Sequence, residues 1–364
     1  MNSEKKSLFV TNQFETGGVE TVFYNLTNNL KINALLFPLH ANTNKQLIDA
    51  LPKNVTLIRN RYHLKRSPLG LVMTVYAAIK YRKQFRHSNV SIINFSDTLT
   101  TLLFSYILNP KNVNSWIHCN PEALKNAATY PVYWWLLGRC KNLIFISESQ
   151  KELFFMMKES RHIDPKKAVV CTNFIDAEIN KKADQPIKIE QPFFFIAARL
   201  DLRSKDYLTL IEAYSLLPER IRKIYSLVIA GDGPDKTVIK KYIKNKELED
   251  RIILLGNILN PFSYMAKAAV VIHASISEGF AMSILEALAC GATVVAADCH
   301  VGPSEILNKG QYGYLYEPGD AKRLSEQIGV ALNSKISPDV AKKRAFEITQ
   351  LGINQAKEFL ENDN

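Results

Sequence analysis

Two carboxylates eight residues apart, Glu278 and Glu286, are the first residues whose type and spacing can do chemistry. They lie in Ala274-Ser275-Ile276-Ser277-Glu278-Gly279-Phe280-Ala281-Met282-Ser283-Ile284-Leu285-Glu286-Ala287-Leu288, where a β-branched run gives way to a helical pattern. With a helix opening near Gly279–Ala281, eight residues at 3.6 per turn bring the pair within a quarter turn, about 12 Å apart along the axis. That is too far for two carboxyls flanking one glycosidic bond, which lie ~5–9.5 Å apart. It suits two hydroxyl acceptors reading different parts of one elongated ligand. Helix-start amides at Phe280, Ala281, Met282 and Ser283 would face the same ligand. The alternative is a helix-start glutamate with a solvated companion, although Glu286 is flanked by Leu285, Ala287 and Leu288.

Two cations precede them. The run Phe193–Ala197 leads into Ala198-Arg199-Leu200-Asp201-Leu202-Arg203-Ser204-Lys205-Asp206, with Arg199 at a strand end and Lys205 before a helical stretch. Such a pair can clamp a diphosphate and stabilise the charge that grows on it as it leaves; the competing reading is solvated loop cations, Arg203 among them. Near the N-terminus, Thr16-Gly17-Gly18-Val19-Glu20 follows the run Leu8–Val10. Gly17 and Gly18 at a helix start let backbone approach a bulky anion, or serve a tight turn needing positive φ. The pattern is not G-x-G-x-x-G, so nicotinamide binding is disfavoured.

Residues so placed need strands ending where helices begin. Runs at 8–10, 34–37, 55–58, 90–95, 113–118, 143–146 and 168–171, then 193–197, 225–230, 251–255, 270–274 and 293–296, alternate with helical patterns such as Glu148–Lys158, Tyr207–Leu217 and Lys236–Lys246. The alternation predicts an α/β protein of two doubly wound units, and 364 residues suit two domains. The polar stretch Glu178–Pro192 is read as the linker, giving domains 1–180 and 181–345, with 346–364 a C-terminal helix crossing back to the first. Doubly wound sheets bind ligands at the carboxyl ends of their strands, so the expected site is a cleft where two sets of strand ends face.

Taken in order, these motifs resemble the retaining GT-B glycosyltransferases of the bacterial group 1 (family 4) type. Ser277-Glu278-Gly279-Phe280 through Leu285-Glu286-Ala287 matches that family's E-x7-E motif, and Gly17-Gly18-Val19-Glu20 its N-terminal glycine loop. Asn173-Phe174-Ile175-Asp176 resembles its N-G-I-D signature, with Phe174 for the usual glycine. Ile229-Ala230-Gly231-Asp232-Gly233-Pro234 resembles its G-x-G-P turn, and Leu255-Gly256-Asn257 the strand end near the base. Gly302-Pro303-Ser304-Glu305-Ile306 and Gly313-Tyr314-Leu315 through Pro318-Gly319-Asp320 complete the pattern. The resemblance implies two Rossmann-like domains and a nucleotide diphosphate sugar as co-substrate, UDP by default. It implies that Gly17, Arg199 and Lys205 hold the pyrophosphate, Glu278 the transferred sugar and Glu286 the ribose. His118, in Ser115-Trp116-Ile117-His118, matches the sugar-pocket histidine; otherwise it is a core histidine. No D-x-D occurs, so no metal or other cofactor is expected. A silent sugar-binding subunit would be expected to have lost Glu278, Arg199 or Lys205, and no phosphate or cofactor pocket for a phosphorylase or epimerase is located.

Charge divides the chain. Residues 1–180 hold 22 Lys/Arg against 12 Asp/Glu, an excess of ten, whereas the rest holds 24 against 23. A basic half fits anionic membrane or phosphorylated substrate; no nucleic-acid motif accompanies it. Within it, Leu69–His87 is apolar and then basic at Lys80, Arg82, Lys83 and Arg86, and Tyr130-Pro131-Val132-Tyr133-Trp134-Trp135 offers interfacial aromatics. Five scattered cysteines, no signal peptide and no apolar run near ~20 residues lead to the expectation of a cytoplasmic protein, peripheral at the inner face of the membrane and acting on a glycan or lipid-linked acceptor.

Overall fold

The computed structural model describes residues 6–15, 17–40, 44–62, 68–85, 90–126, 130–176 and 178–362. Two compact units result, one of Met1–Asp176 with Gln350–Asn364 and one of Ala177–Thr349. The first is built on β1 (Ser7–Thr11), β2 (Ala34–Pro38), β3 (Val55–Leu57), β4 (Ser91–Asn94), β5 (Val113–Ile117), β6 (Asn142–Phe145) and β7 (Ala168–Val170), in the order β3-β2-β1-β4-β5-β6-β7. The second holds β8 (Phe193–Ala197), β9 (Ser226–Ala230), β10 (Ile252–Gly256), β11 (Val270–His273), β12 (Val294–Ala297) and β13 (Tyr314–Tyr316), ordered β10-β9-β8-β11-β12-β13. Every pairing in both sheets is parallel. The expected class, two doubly wound α/β units, is the observed one.

Local chemistry explains these elements. Parallel strands need crossover helices, which cover both faces of the sheet; every residue of β4, β9 and β12 is accordingly buried. Helix starts carry their own caps. Thr98 accepts from the Thr101 amide, Ser147 from Gln150, Asp206 from Thr209 and Asp320 from Arg323. Strand order reverses between β1 and β4 in one sheet and between β8 and β11 in the other. These are the switch points where such sheets open a crevice.

Three features differ from the sequence reading. Strand β13, Tyr314–Tyr316, is absent from it, since its three residues hold one leucine between two tyrosines and so form no aliphatic run. The stretch read as linker begins with a helix, Ile179–Ala183, whose Ile179 and Ala183 are buried and which packs on helices Phe262–Lys267 and Met282–Ala289. The terminal helix starts at Pro338 rather than 346 and runs to Asn362. Within the first unit its Gly352 lies so close to the chain that a Cβ would sit 2.2 Å from the Thr172 carbonyl, and Gln355 Oε1 accepts the Thr172 amide at 3.0 Å. Phe174 is buried, and its carbonyl accepts from Asn25 Nδ2 at 2.7 Å, which fixes the loop in spite of the missing glycine.

Candidate functional site

In the second unit the loops after β8 and β11, the two strands flanking the switch point, pack on each other. Lys205 and Ser275 form a one-residue antiparallel bridge, the Ile276 amide donates to Ser204 O at 2.9 Å, and the Asp206 amide donates to Ala274 O at 3.1 Å. Glycines behind the first loop allow this closeness. A Cβ on Gly231 (φ +134°) would fall 2.0 Å from the Ala198 carbonyl, and one on Gly233 2.3 Å from that of Leu200. Arg199 is therefore carried on backbone held from behind, with its side chain exposed. Arg203 is no free cation. Its guanidinium grips Asp201 through Nε at 2.9 Å and Nη2 at 2.8 Å, and that hydrogen bonding holds the Asp201 carboxyl down to about 2.

Glu278 is the centre of this crevice. Its Oε1 accepts from Ser275 Oγ at 2.7 Å and His273 Nε2 at 3.1 Å, and is ion-paired with Lys205. Lys205 Nζ also donates to Ser275 Oγ at 3.0 Å. Burial works to raise the Glu278 carboxyl, but Lys205 and His273 overcome it and hold the group well below the usual carboxylate range. Three donors converge on one oxygen, and among the described residues Oε2 has none. The carboxylate is thus anchored at one oxygen and presents the other.

The segment between the two glutamates departs from the helical expectation. The helix starts at Met282, four residues after Glu278, so the 3.6-residue spacing does not relate Glu278 to Glu286. Phe280 is buried, and Ala281 takes a left-handed conformation at φ 72°, a cost of roughly 1–2 kcal/mol for a residue with a Cβ. Gly302 (φ +99°) holds this turn in place, since a Cβ there would lie 2.1 Å from the Phe280 carbonyl. Gly279 is half-buried in the turn, and Met282 and Ser283 open the helix, whose first amides have no earlier turn to bond.

Glu286 is half-buried on that helix, and burial pushes its carboxyl up to about 7, against the pull of Lys182. Unfolded, the group ionises near 4.5. The folded state therefore gains stability from this group that is complete below pH 4.5 and lost as pH rises through about 7. Above that the ionised group costs on the order of 3 kcal/mol. Glu286→Gln removes the titration, so thermal melts should show the variant level with the parent at pH 4 and several degrees above it at pH 8. Parallel melting temperatures at both pH values would refute the burial assigned to this carboxyl.

Gly17, Gly18 and His118 belong to the first unit. Gly17 caps the helix Gly18–Leu30 in extended backbone, φ −176°, so positive φ is not its reason. A Cβ there would instead meet Glu20 Oε2 at 2.8 Å, and Glu20 Oε1 accepts the Glu15 amide at 3.3 Å; Thr16 lies outside the described residues. His118 follows β5, its ring 4.3 Å from Phe95 and stacked at 6.2 Å on Trp116. Burial depresses its imidazole to about 3, and both ring nitrogens lack partners among the described residues. Sequence reading missed Asp97, just beyond β4, whose Oδ2 accepts the amides of His118 at 3.0 Å and Cys119 at 2.8 Å. Its carboxyl is pushed up to about 6 by burial.

Asn257 is exposed just past β10, where Gly256 (φ +70°) accepts the Gly231 amide at 2.7 Å. His273 and Ser275 were also missed. His273 ends a strand read only for its apolar run and Ser275 lies two residues beyond, and the single signal was a lone histidine closing Val270-Val271-Ile272.

Comparison with known proteins gives this geometry a context. Residues 178–348 match the sequence profile of the family described as Glycosyl transferases group 1. Over 196 residues, 52% of each chain, the protein is 34% identical to a Campylobacter jejuni N-acetylgalactosamine-N,N'-diacetylbacillosaminyl-diphospho-undecaprenol 4-alpha-N-acetylgalactosaminyltransferase. It is 30% identical over 146 residues to the poly(glycerol-phosphate) alpha-glucosyltransferase of Bacillus subtilis, covering 40% of this chain and 22% of that one. The chain thus spans about half the length of the first relative and less of the second. Among solved structures, Anabaena HepE in complex with UDP-glucose superposes with a TM-score of 0.77 at 20% identity, covering 98% of this chain and 99% of that one. S. aureus TarM, bound to UDP among other ligands, gives 0.73 at 15% identity, covering 98% of each. These two likenesses establish the GT-B fold.

Proposed function

We propose that this chain, a member of the group 1 glycosyl transferases through residues 178–348, is a retaining, metal-independent transferase. It moves a hexose or N-acetylhexosamine from a UDP-sugar to a glycan or lipid-linked saccharide. The observation that carries the reading is the anchored Glu278 beside Lys205 at the β8/β11 switch point. Its supports from elsewhere are the UDP-glucose in the Anabaena structure and the diphospho-undecaprenol acceptor in the Campylobacter enzyme's name.

In this reading Glu278 Oε2 accepts a hydroxyl of the transferred sugar, while Arg199 and Lys205 take the diphosphate and the charge it gains on departure. The turn amides of Gly279–Ser283 contact sugar and phosphate, Glu286 the ribose, and Asn257 lies near the base. Gly17 and Gly18, for the pyrophosphate, and His118, for the sugar, are assigned by the family resemblance. Front-face attack, with the leaving phosphate taking the acceptor proton, needs no protein base. The protein would work in the cytoplasm at the inner face of a membrane; among the described residues no helix is long and apolar enough to cross one.

The test is release of UDP from a panel of UDP- and GDP-sugars, with and without an undecaprenyl-diphosphate-linked saccharide. Acceptor-stimulated release from a UDP-sugar is expected, with the anomeric configuration of the product read by NMR. Binding of UDP-sugar without turnover on any acceptor would favour a silent binding subunit, and an inverted product would remove the retaining mechanism.

A further inference from the structure

We propose that one helical layer of the first unit is a docking surface for an anionic lipid bilayer. The layer consists of the helices Pro68–Phe85, Leu99–Leu108 and Tyr130–Leu137. Their inward residues, Ala77, Ala78, Leu102, Phe104, Trp134 and Leu137 among them, share one core cluster with Leu8, Ile92, Val113 and Leu143 of the strands. All three therefore cover the same side of the sheet. The middle helix packs against both others, so their outer faces look the same way.

Those outer faces are apolar where a surface helix is ordinarily charged. On the first helix Val72, Tyr76 and Ile79 are 63%, 46% and 55% exposed, and their spacing of four and three residues puts them on one stripe. On the third, Val132 and Trp135 are 51% and 49% exposed, one turn apart. Between them Leu103, Tyr106 and Ile107 are half-buried, and the helix that bears them has no charged residue. Exposed apolar residues gathered on adjacent helices of one layer are the pattern of an interaction site.

Charge identifies the occupant. The three helices contain no Asp or Glu; their charges are Lys80, Arg82 and Lys83. Lys80 and Lys83 are exposed at the end of the apolar stripe, with Lys80 Nζ 5.3 Å from the Tyr76 ring. On the third helix's side the Arg139 guanidinium lies 4.0 Å over Trp135. Aromatic rings backed by cations on an apolar face suit the headgroup region of a bilayer. A second copy of the same face would oppose cation to cation with no carboxylate to pair. Two sequence expectations change here. Tyr133 and Trp134 fill the core instead of the interface, and Arg82 is half-buried with a buried, unpartnered Nε; Arg86 lies outside the described residues.

The proposal gives the lipid-linked acceptor reading its physical setting, yet it is measured without donor or acceptor. The full chain is floated with phosphatidylcholine vesicles and with vesicles enriched in phosphatidylglycerol. Binding to the second alone is expected, falling with added salt. Lys80→Gln with Lys83→Gln should lower partition about fivefold per cation removed. Val72→Ser with Trp135→Ser should lower it at any salt. Both double variants should keep the parent's melting temperature and UDP affinity, because every changed side chain is exposed and none lies in the β8/β11 crevice. Equal partition onto both vesicle types, none onto either, or variants that bind like the parent would overturn the proposal. So would a dimer in light scattering that the serine variants dissolve. Loss of transferase activity with intact vesicle binding would instead count against the function proposed above.

Discussion

Lys205→Ala and Arg199→Ala are each expected to lower kcat by ~10²–10³, the typical consequence of removing one preorganised donor to developing charge. The structure separates the two by pH. Arg199 is exposed, so its loss should be felt equally at every pH where the protein is folded. Lys205 also offsets the burial of Glu278. Without the ammonium, only His273 opposes burial, so the carboxyl's pKa rises, and to the extent that Glu278 is protonated it loses charge as a hydroxyl acceptor. The activity of Lys205→Ala relative to the parent should therefore climb as pH rises, while that of Arg199→Ala stays a constant fraction of the parent's. Turnover by the parent should survive excess chelator. Loss of turnover on chelation, restored by Mg²⁺ or Mn²⁺, would end the metal-free reading, and near-parental kcat in either variant would end the assignment of that cation.

The sheets were legible because parallel strands buried on both faces write themselves as unbroken apolar runs. Most strands announced themselves in this way; β3 (Val-Thr-Leu) and β5 (Val-Asn-Ser-Trp-Ile) showed instead through their β-branched and aromatic residues, and β13 (Tyr-Leu-Tyr) did not show at all. Helix starts were legible where a capping side chain stood, as at Asp206. The turn after Glu278 was not. Its shape depends on Gly302, twenty-four residues away, whose missing Cβ admits the Phe280 carbonyl, and on a left-handed alanine that no local preference predicts. The same limit hid Asp97 and His273. A carboxylate receiving two backbone amides from just past another strand, or a histidine meeting a glutamate five residues on around a loop, is a product of strand order and not of spacing. Of the aromatic run 130–135, the sequence could name the residue types but could not sort Trp135, exposed, from Trp134, buried.

Glu278→Gln should lower kcat/KM about a hundredfold and leave UDP affinity within roughly threefold. The reason lies in the unequal use of the two carboxylate oxygens. Oε1 takes Lys205, Ser275 and His273, so in the amide the carbonyl oxygen must keep that place and the NH₂ must stand where Oε2 was. A charged acceptor facing the sugar becomes a neutral donor. Hydrogen bonds to charged groups are worth ~1.5–3 kcal/mol, or about ten- to a hundredfold, and reversing the polarity puts this substitution at the upper end. UDP carries no transferred sugar and still finds Lys205, which loses its carboxylate rival. His273 provides the internal control. It is 4% exposed and acts on the sugar only through Glu278, so it is a positioning residue. His273→Gln retains an N–H toward Oε1 and should stay within about tenfold of the parent, whereas His273→Ala should lose more in kcat than it gains in KM. Kinetics of Glu278→Gln indistinguishable from the parent, or UDP affinity falling along with kcat/KM, would show that this carboxylate does not face the sugar.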